Sequence, residues 1–280
     1  CWPDASRSFV SGVTSAGLNA GILMLSQLVR IWSITPDSWR WIFKLSGVPA
    51  VLGALVLVAL PESPKWLAAR GEPGRRPPRL RELFRPELLR ITLAGIVISA
   101  IPMVGAWAAS KWMIPWADKV AGSANTQYKA ETQGWWALGA TLGCFAGAQL
   151  ASRLGRRLSY VLISAGSAGM TFAMFQLTAP LRPSFHPVVF TQGFVATLFF
   201  GWLALYLPEL FPTRVRATGV GLAYNSGRFA TASGVVLAGM LFTALGGDYP
   251  RVGALCALIY ALGVPVIWWA PETANESLRA

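Results

Sequence analysis

Eight apolar stretches, each about 20 residues long, follow one another along this chain at roughly 8–29, 41–60, 91–113, 133–152, 159–179, 187–207, 217–245 and 252–270. A helix of about 20 apolar residues matches the ~30 Å hydrocarbon core of a bilayer. One such run can be the buried helix of a soluble protein, but eight in series exceed any aqueous core that 280 residues can build. Inside lipid the backbone finds no water, so it must satisfy its own hydrogen bonds as helix. The expected class is therefore an all-α, polytopic membrane protein. Composition agrees, with 54% hydrophobic and 13% charged residues and a mean hydropathy of +0.49.

The charges fix an expected orientation, because loops rich in Lys and Arg stay cytoplasmic during insertion. With the first residues inside, fifteen of the 24 basic residues fall in cytoplasmic loops and tails. Both ends of the chain are expected in the cytoplasm, and the net charge of +12 is largely this bias. A nucleic-acid partner is not expected, since the basic residues sit between spans and form no separate basic surface. Trp32, Trp39, Trp41, Trp66, Trp112, Trp116, Trp135, Trp268 and Trp269 gather at predicted span ends, where the lipid interface favours them. Cys1, Cys144 and Cys256 offer neither a disulfide framework nor a zinc spacing. His186, the one histidine, reads as a solvated residue in an outer loop. No metal constellation, nucleophile–base pair or phosphate-cradling loop emerges, so neither a cofactor nor an enzymatic reaction is expected.

The chain punctuates itself twice. "PESPKWL" at 61–67 and "PETANESL" at 271–278 each follow an apolar run, 210 residues apart. "WPDASR" at 2–7 and "FPTRVR" at 211–216 share an aromatic residue, then Pro, then Arg four positions later, at a shift of 209. Two independent landmarks thus agree on one period. The second half holds six spans and the first only two, so the repeat predicts four further spans, roughly 120–140 residues, ahead of residue 1 in the whole protein.

Four motifs in this order resemble the major facilitator superfamily, in its sugar-porter and metabolite/proton-symporter branches. "PESPKWL" is similar to the end of the sixth helix, "RLGRR" at 153–157 to the loop after the eighth, "ELFPTRVRATGVG" at 209–221 to the start of the eleventh, and "PETANESL" to the end of the twelfth. The resemblance implies a twelve-helix fold of which eight are present. Residues 1–60 would be the last two helices of an N-terminal bundle, 61–90 a cytoplasmic inter-bundle loop, 91–270 a C-terminal six-helix bundle and 271–280 a cytoplasmic tail. The two early helices are expected to pair against that bundle. The resemblance also implies a gating set of Arg153, Gly155, Arg156 and Arg157 in "RLGRR", with Arg216 and the acids Glu62, Glu209 and Glu272. The position before Arg153, commonly acidic in the family, is Ser152.

Other features read as architecture. Gly139, Gly143 and Gly147, and likewise Gly17 and Gly21, form small-residue stripes that let helices approach closely. Pro102 falls inside a span, where its missing amide can bend the helix toward a cavity. In "RLRELFRPELLRI", Leu80, Leu83, Phe84 and Leu88 share one stripe of a helix lying on the inner leaflet.

Arg228, in "YNSGRF", is the charge that cannot be placed at a span end. It lies twelve residues past Arg216, or about 18 Å deeper at 1.5 Å per residue. A charge at that depth faces a cavity or a partner. Polar and aromatic groups deep in the spans that line the family's cavity complete a candidate substrate site: Ser99, Trp107, Gln192, Thr197, Tyr224, Asn225 and Arg228. The third span lacks the Gln-Gln and Asn pattern of sugar porters, and "FPTRVRATGVGLAYNSGR" is more similar to carriers of organic acids. The resemblance therefore implies a secondary transporter of a small polar metabolite, an organic acid ahead of a hexose or an effluxed drug. It implies proton symport by alternating access in the cell membrane, in a protein that is monomeric when whole. A non-transporting sensor on the same scaffold is the alternative of another class.

Overall fold

A computed structural model of the chain describes residues 4–32, 34–62, 67 and 79–273. Each of the eight apolar runs is helical: α1 (Asp4–Ile31), α2 (Arg40–Ser46) continuing into α3 (Val48–Ala59), α4 (Pro86–Val104), α5 (Met113–Ala121), α6 (Tyr128–Leu154), α7 (Arg156–Gln176), α8 (Phe185–Leu210), α9 (Arg216–Ala244), α10 (Tyr249–Ala261) and α11 (Gly263–Val266). Among the described residues, seven helical stretches are long and apolar enough to cross a bilayer. The eighth, α6, is rich in Gly and Ala, and sets a small-residue face against its neighbours while Trp135, Leu138 and Leu142 stay exposed on another.

Helix α8 is the axis of the bundle. It packs most extensively on α6, and also touches α1, α4, α7 and α9. The α6–α8 contact is close because of the small-residue stripe: a methyl added at Gly139, Gly143 or Gly147 would run into the backbone of Phe190, Phe194 or Leu198. Gly193 and Gly201 of α8 answer from the other side, against the backbone of Trp136 and Cys144. The Gly17/Gly21 stripe is different, because nothing lies within 4 Å of a methyl built there, and Gly12 makes the α1 approach instead, at Phe145.

Two pairs complete the bundle. Helix α9 lies along α4, with Gly227 against Ser99 and Met103, and α10 lies along α7. One apolar core joins α4, α7, α8 and α10 around Tyr160, Phe199, Trp202 and Tyr206. A second joins α5, α6, α7 and α8 around Met113, Trp116, Tyr128, Phe175 and Phe185.

Helix α4 starts at Pro86, whose fixed φ and absent amide suit the first helical position. Its second proline, Pro102, cannot donate to the carbonyl of Ile98. The Tyr160 hydroxyl of α7 donates to that carbonyl instead, at 2.9 Å. Beyond Val104 the helix loosens into a π-turn at Gly105–Ala109, where Tyr260 packs on Gly105, and then tightens into a 3₁₀ turn at Ser110–Trp112. Such irregular turns re-aim the side chains they carry.

Three expectations are corrected. Helix α1 does pack on α6 and α8, but α2 and α3 bury no residue and pack chiefly on each other. Helix α3 is apolar on all sides, so no polar face orients it against the bundle. The inner-leaflet helix is not continuous: Leu80–Phe84 is a 3₁₀ turn, and Pro86 forces a fresh start at α4. Leu83 enters the core, where the Thr92 hydroxyl donates to its carbonyl at 2.8 Å, while Leu80 and Phe84 are exposed. Residues 68–78 of that segment lie outside the described residues. His186 belongs to the first turn of α8 and stacks among Tyr128 and Trp135, with Thr132 at 3.3 Å from its Nε2.

Candidate functional site

Of the residues expected in the gating set, Gly155, Arg156, Arg157, Glu209 and Glu272 meet at the junction of α6, α7, α8 and the segment after α11. Gly155 makes the turn between α6 and α7 at φ +83°, a conformation that disfavours a side chain. The turn delivers Arg156 to Glu209 of α8, with Nε and Nη2 donating to the two carboxylate oxygens at 3.0 and 2.9 Å. Both side chains are about 10% exposed. Arg156 Nη1 donates to the Ala151 carbonyl at 2.8 Å, and the Thr273 hydroxyl donates to Glu209 at 2.6 Å. Glu272 caps α7, accepting the backbone N–H groups of Arg156 and Arg157 at 2.9 Å each. Those amides have no partner within the helix, and a carboxylate there also meets the positive end of the helix dipole. Arg157 donates twice to the Ala270 carbonyl, at 3.0 and 2.7 Å.

These partners all come from residues 151–273, so the cluster clamps the second half of the chain to itself. Arg153, in the last turn of α6, is exposed. Arg216 Nε donates to the carbonyls of Pro208 and Phe211 at 2.9 and 3.2 Å, closing the C-terminal end of α8. Glu62 is exposed beyond α3, and residues 63–66 of its motif lie outside the described residues. Nearby, the Arg214 guanidinium pairs with Glu82 and, with the Arg79 backbone amide, holds that carboxyl below the usual carboxylate range.

A cavity of about 690 Å³ opens among α1, the end of α4 with its π-turn, α6, α8 and α9. That is the size of a small-molecule site. Its walls are largely apolar, with Met103, Phe200, Leu203 and Leu207 among them. Asn19, Thr14 and Ser15 of α1 and Thr231 of α9 add polar atoms. Among the described residues two charged side chains line it, Lys111 and Arg228, and both are cationic.

Of the seven residues expected at a substrate site, the cavity brings together Trp107, Tyr224 and Arg228. The Arg228 guanidinium lies over the Tyr224 ring, 5.6 Å from its centroid. Gln192, Thr197 and Ser99 are fully buried in helix contacts. The Gln192 amide accepts from Trp136 Nε1 at 2.8 Å and donates to Ser110 and Thr171 at 2.5 and 3.0 Å. Ser110 in turn meets the Tyr260 hydroxyl at 3.0 Å. Thr197 donates across the α6–α8 seam to the Ala140 carbonyl at 2.8 Å. Asn225 is exposed and donates to the Gly221 carbonyl at 2.8 Å.

Lys111 and Trp136 were not singled out from sequence. The Lys111 ammonium sits 3.3 Å from the centroid of the Trp136 ring and 3.1 Å from Gln133 Oε1. Lys111 stands at the end of a predicted span, where a lysine ordinarily reaches out to the interface. The five-residue π-turn that ends two positions ahead of it turns it inward, and apolar periodicity carries no signal for that.

A helical bundle of membrane-spanning length around a central, mainly apolar cavity with a few polar and cationic groups is the architecture of a membrane carrier. The chain belongs to the Major Facilitator Superfamily, whose sequence model matches residues 1–234. Within it, the chain falls in the metabolite-transport branch. It is 25% identical to a cis,cis-muconate transport protein of Acinetobacter baylyi over 96% of this chain and 67% of that protein. It is 29% identical to a probable 4-methylmuconolactone transporter of Cupriavidus pinatubonensis over 98% of this chain and 63% of that one. A putative metabolite transport protein of Haemophilus influenzae is 25% identical over 99% of this chain and 69% of its own length. The chain thus spans about two-thirds of the length of these relatives. The family consists of transporters, which sets the chain apart from enzymes.

Proposed function

We propose that the complete protein is a secondary active transporter of a small organic acid, working by alternating access and driven by proton symport. The observation that carries this reading is the charge of the cavity: among the described residues its ionic lining groups are Lys111 and Arg228, and none is a carboxylate. Two cations on one largely apolar wall give the chamber a positive potential that favours an anionic guest. Arg228 forms no ion pair among the described residues and supplies a planar fork suited to a carboxylate. Relatives named for muconate and methylmuconolactone transport accord with an organic-acid cargo. In this reading residues 1–60 complete an N-terminal bundle, 91–270 form the C-terminal one, both ends of the chain face the cytoplasm of a cell-membrane protein, and the whole carrier is a monomer. The Arg156–Glu209–Glu272 cluster holds the cytoplasmic end of the second bundle as one body while the two bundles rock.

Arg228 is the residue to test in the full-length carrier. Arg228→Lys keeps the charge but not the fork, so it should weaken binding of labelled carboxylates several-fold without lowering thermal stability in detergent. Uptake driven by an imposed pH gradient in proteoliposomes reads the proton coupling. Wild-type affinity in Arg228→Lys would sink the bidentate contact, and a neutral substrate carried equally well by Arg228→Ala would sink the anion reading.

A further inference from the structure

Lys111 is built into the cavity wall with more care than a stray interfacial lysine. Its ammonium is seated on the face of Trp136 at 3.3 Å from the ring centroid, with Trp107 on another side at 5.9 Å. Cation–π contacts of this kind hold the position of a cation without cancelling its charge. Its hydrogen-bond acceptor among the described residues, Gln133 Oε1 at 3.1 Å, is also neutral. That contact fixes the orientation of the Gln133 amide, and its Nε2 is then buried with no hydrogen-bond partner. A buried, unpaired donor beside an uncompensated ammonium is unusual in a folded protein, because such groups normally find partners. The Trp136 indole is itself pinned by the buried Gln192, so the seat is rigid.

Arg228 occupies a separate station in the same chamber. The α4–α9 contact aligns Gly227 with Ser99 and Met103, and Lys111 lies eight residues past Met103, or about 12 Å further along the axis. The Arg228 guanidinium lies over the Tyr224 ring, one turn back along α9, so the two cations stand at different levels of the chamber. The wall around them is apolar, with Met103, Phe200 and Leu203.

We propose that Lys111 is a second anion-binding residue, and that this cavity takes a dianion: an α,ω-dicarboxylate with one carboxylate on Arg228, the other on Lys111 and the Gln133 amide, and its carbon chain along the apolar wall. This rests on the organic-acid reading above and sharpens it from one charge to two. A single carboxylate would satisfy one cation and leave the other bare, whereas a dianion neutralises both.

The test is competition against labelled substrate in the full-length carrier, with the dicarboxylates from succinate to suberate, each paired with its monomethyl ester. The wild type should bind the best dicarboxylate at least tenfold more tightly than its own monoester. In Lys111→Met, which keeps a long stem over Trp136, that ratio should fall toward one. Lys111→Arg, which keeps the charge, should retain most of it, and size-exclusion profiles should show that each variant is folded. Equal affinity for diacid and monoester in the wild type overturns the dianion proposal while leaving the organic-acid reading standing. A ratio that survives in folded Lys111→Met, or is lost equally in Lys111→Arg, assigns Lys111 to packing alone and overturns the proposal too. Competition by none of the acids, together with competition by uncharged analogues, overturns the organic-acid reading itself.

Discussion

Replacing Glu209 with Gln changes one charge and almost no volume, at the point where α7, α8 and the segment after α11 are tied together. Arg156 would keep its place but lose the carboxylate that receives two of its donors at 2.9 and 3.0 Å. One end of the Gln amide would point N–H groups at the guanidinium. Removing one member of a buried ion pair costs about 3–5 kcal/mol, because the other charge stays behind in a site that excludes water. Two charge-assisted hydrogen bonds at about 1.5–3 kcal/mol each give a similar range. For a chain of this size that corresponds to a fall in melting temperature on the order of 10 °C. The assay is thermal unfolding in detergent followed by size exclusion, with Glu87→Gln as a control, since Glu87 is an exposed acid in the first turn of α4. The Arg156→Met/Glu209→Leu double variant should recover more than half of the loss, because apolar residues of similar volume can replace a buried pair at little cost. A Glu209→Gln variant that melts within about a degree of the Glu87→Gln control would refute the reasoning. So would a double variant as unstable as the sum of the two singles, since then the charges are not coupled.

Two further outcomes follow from named contacts. Tyr160→Phe should destabilise the protein by about 1–3 kcal/mol by leaving the Ile98 carbonyl unpaired beside Pro102, and Pro102→Ala should remove most of that cost by supplying the missing amide; a full cost that persists in the double variant would show that the hydroxyl has another role. Glu82, whose carboxyl is held below its ordinary value first by its bond to Arg214, gives stability that is fully present above the ordinary glutamate pKa and lost as pH falls through the lowered one. The stability difference between wild type and Glu82→Gln, measured in detergent across pH, should therefore be constant from pH 8 to about 5 and close below about 4; a difference that is flat down to pH 3 would exclude this ion pair as its source.

The sequence carries the helices well, because bilayer length and apolarity are local properties. All eight runs became helix, and the Gly139/Gly143/Gly147 stripe marks the tightest seam of the bundle. What it does not carry is which helix receives a given face. Gly17 and Gly21 have the same spacing as the α6 stripe, yet they meet nothing within 4 Å. From Val48 to Leu60 the second run is uniformly apolar, and so contains no information about which face docks. The cluster at 153–157 shows the same limit at the level of side chains. Motif order brings Arg156, Glu209 and Glu272 onto one page of the reading, but only the chain path reveals that Glu272 caps the helix Arg156 begins, so that the contact is internal to one half.

At the cavity the sequence and the structure divide along a physical line. Arg228 is visible from the sequence because a charge about 18 Å from the nearest span end needs a reason. Lys111 is invisible because its distance from a span end supplies a reason already. Its inward course depends on Pro102, the π-turn at Gly105–Ala109 and the Tyr260 ring packed on Gly105, three features on two helices that act together. Gln192 fails as a ligand for the opposite cause: its depth in the span is as expected, but three neighbouring groups occupy its amide, and the indole it holds is the one on which Lys111 rests. A polar residue deep in a membrane helix thus acts on cargo only if its neighbours leave it a free hydrogen-bonding atom. By that criterion the groups proposed to meet cargo are the two cations that line the chamber, with the Gln133 amide beside Lys111, and the buried network behind Lys111 holds the indole on which it rests.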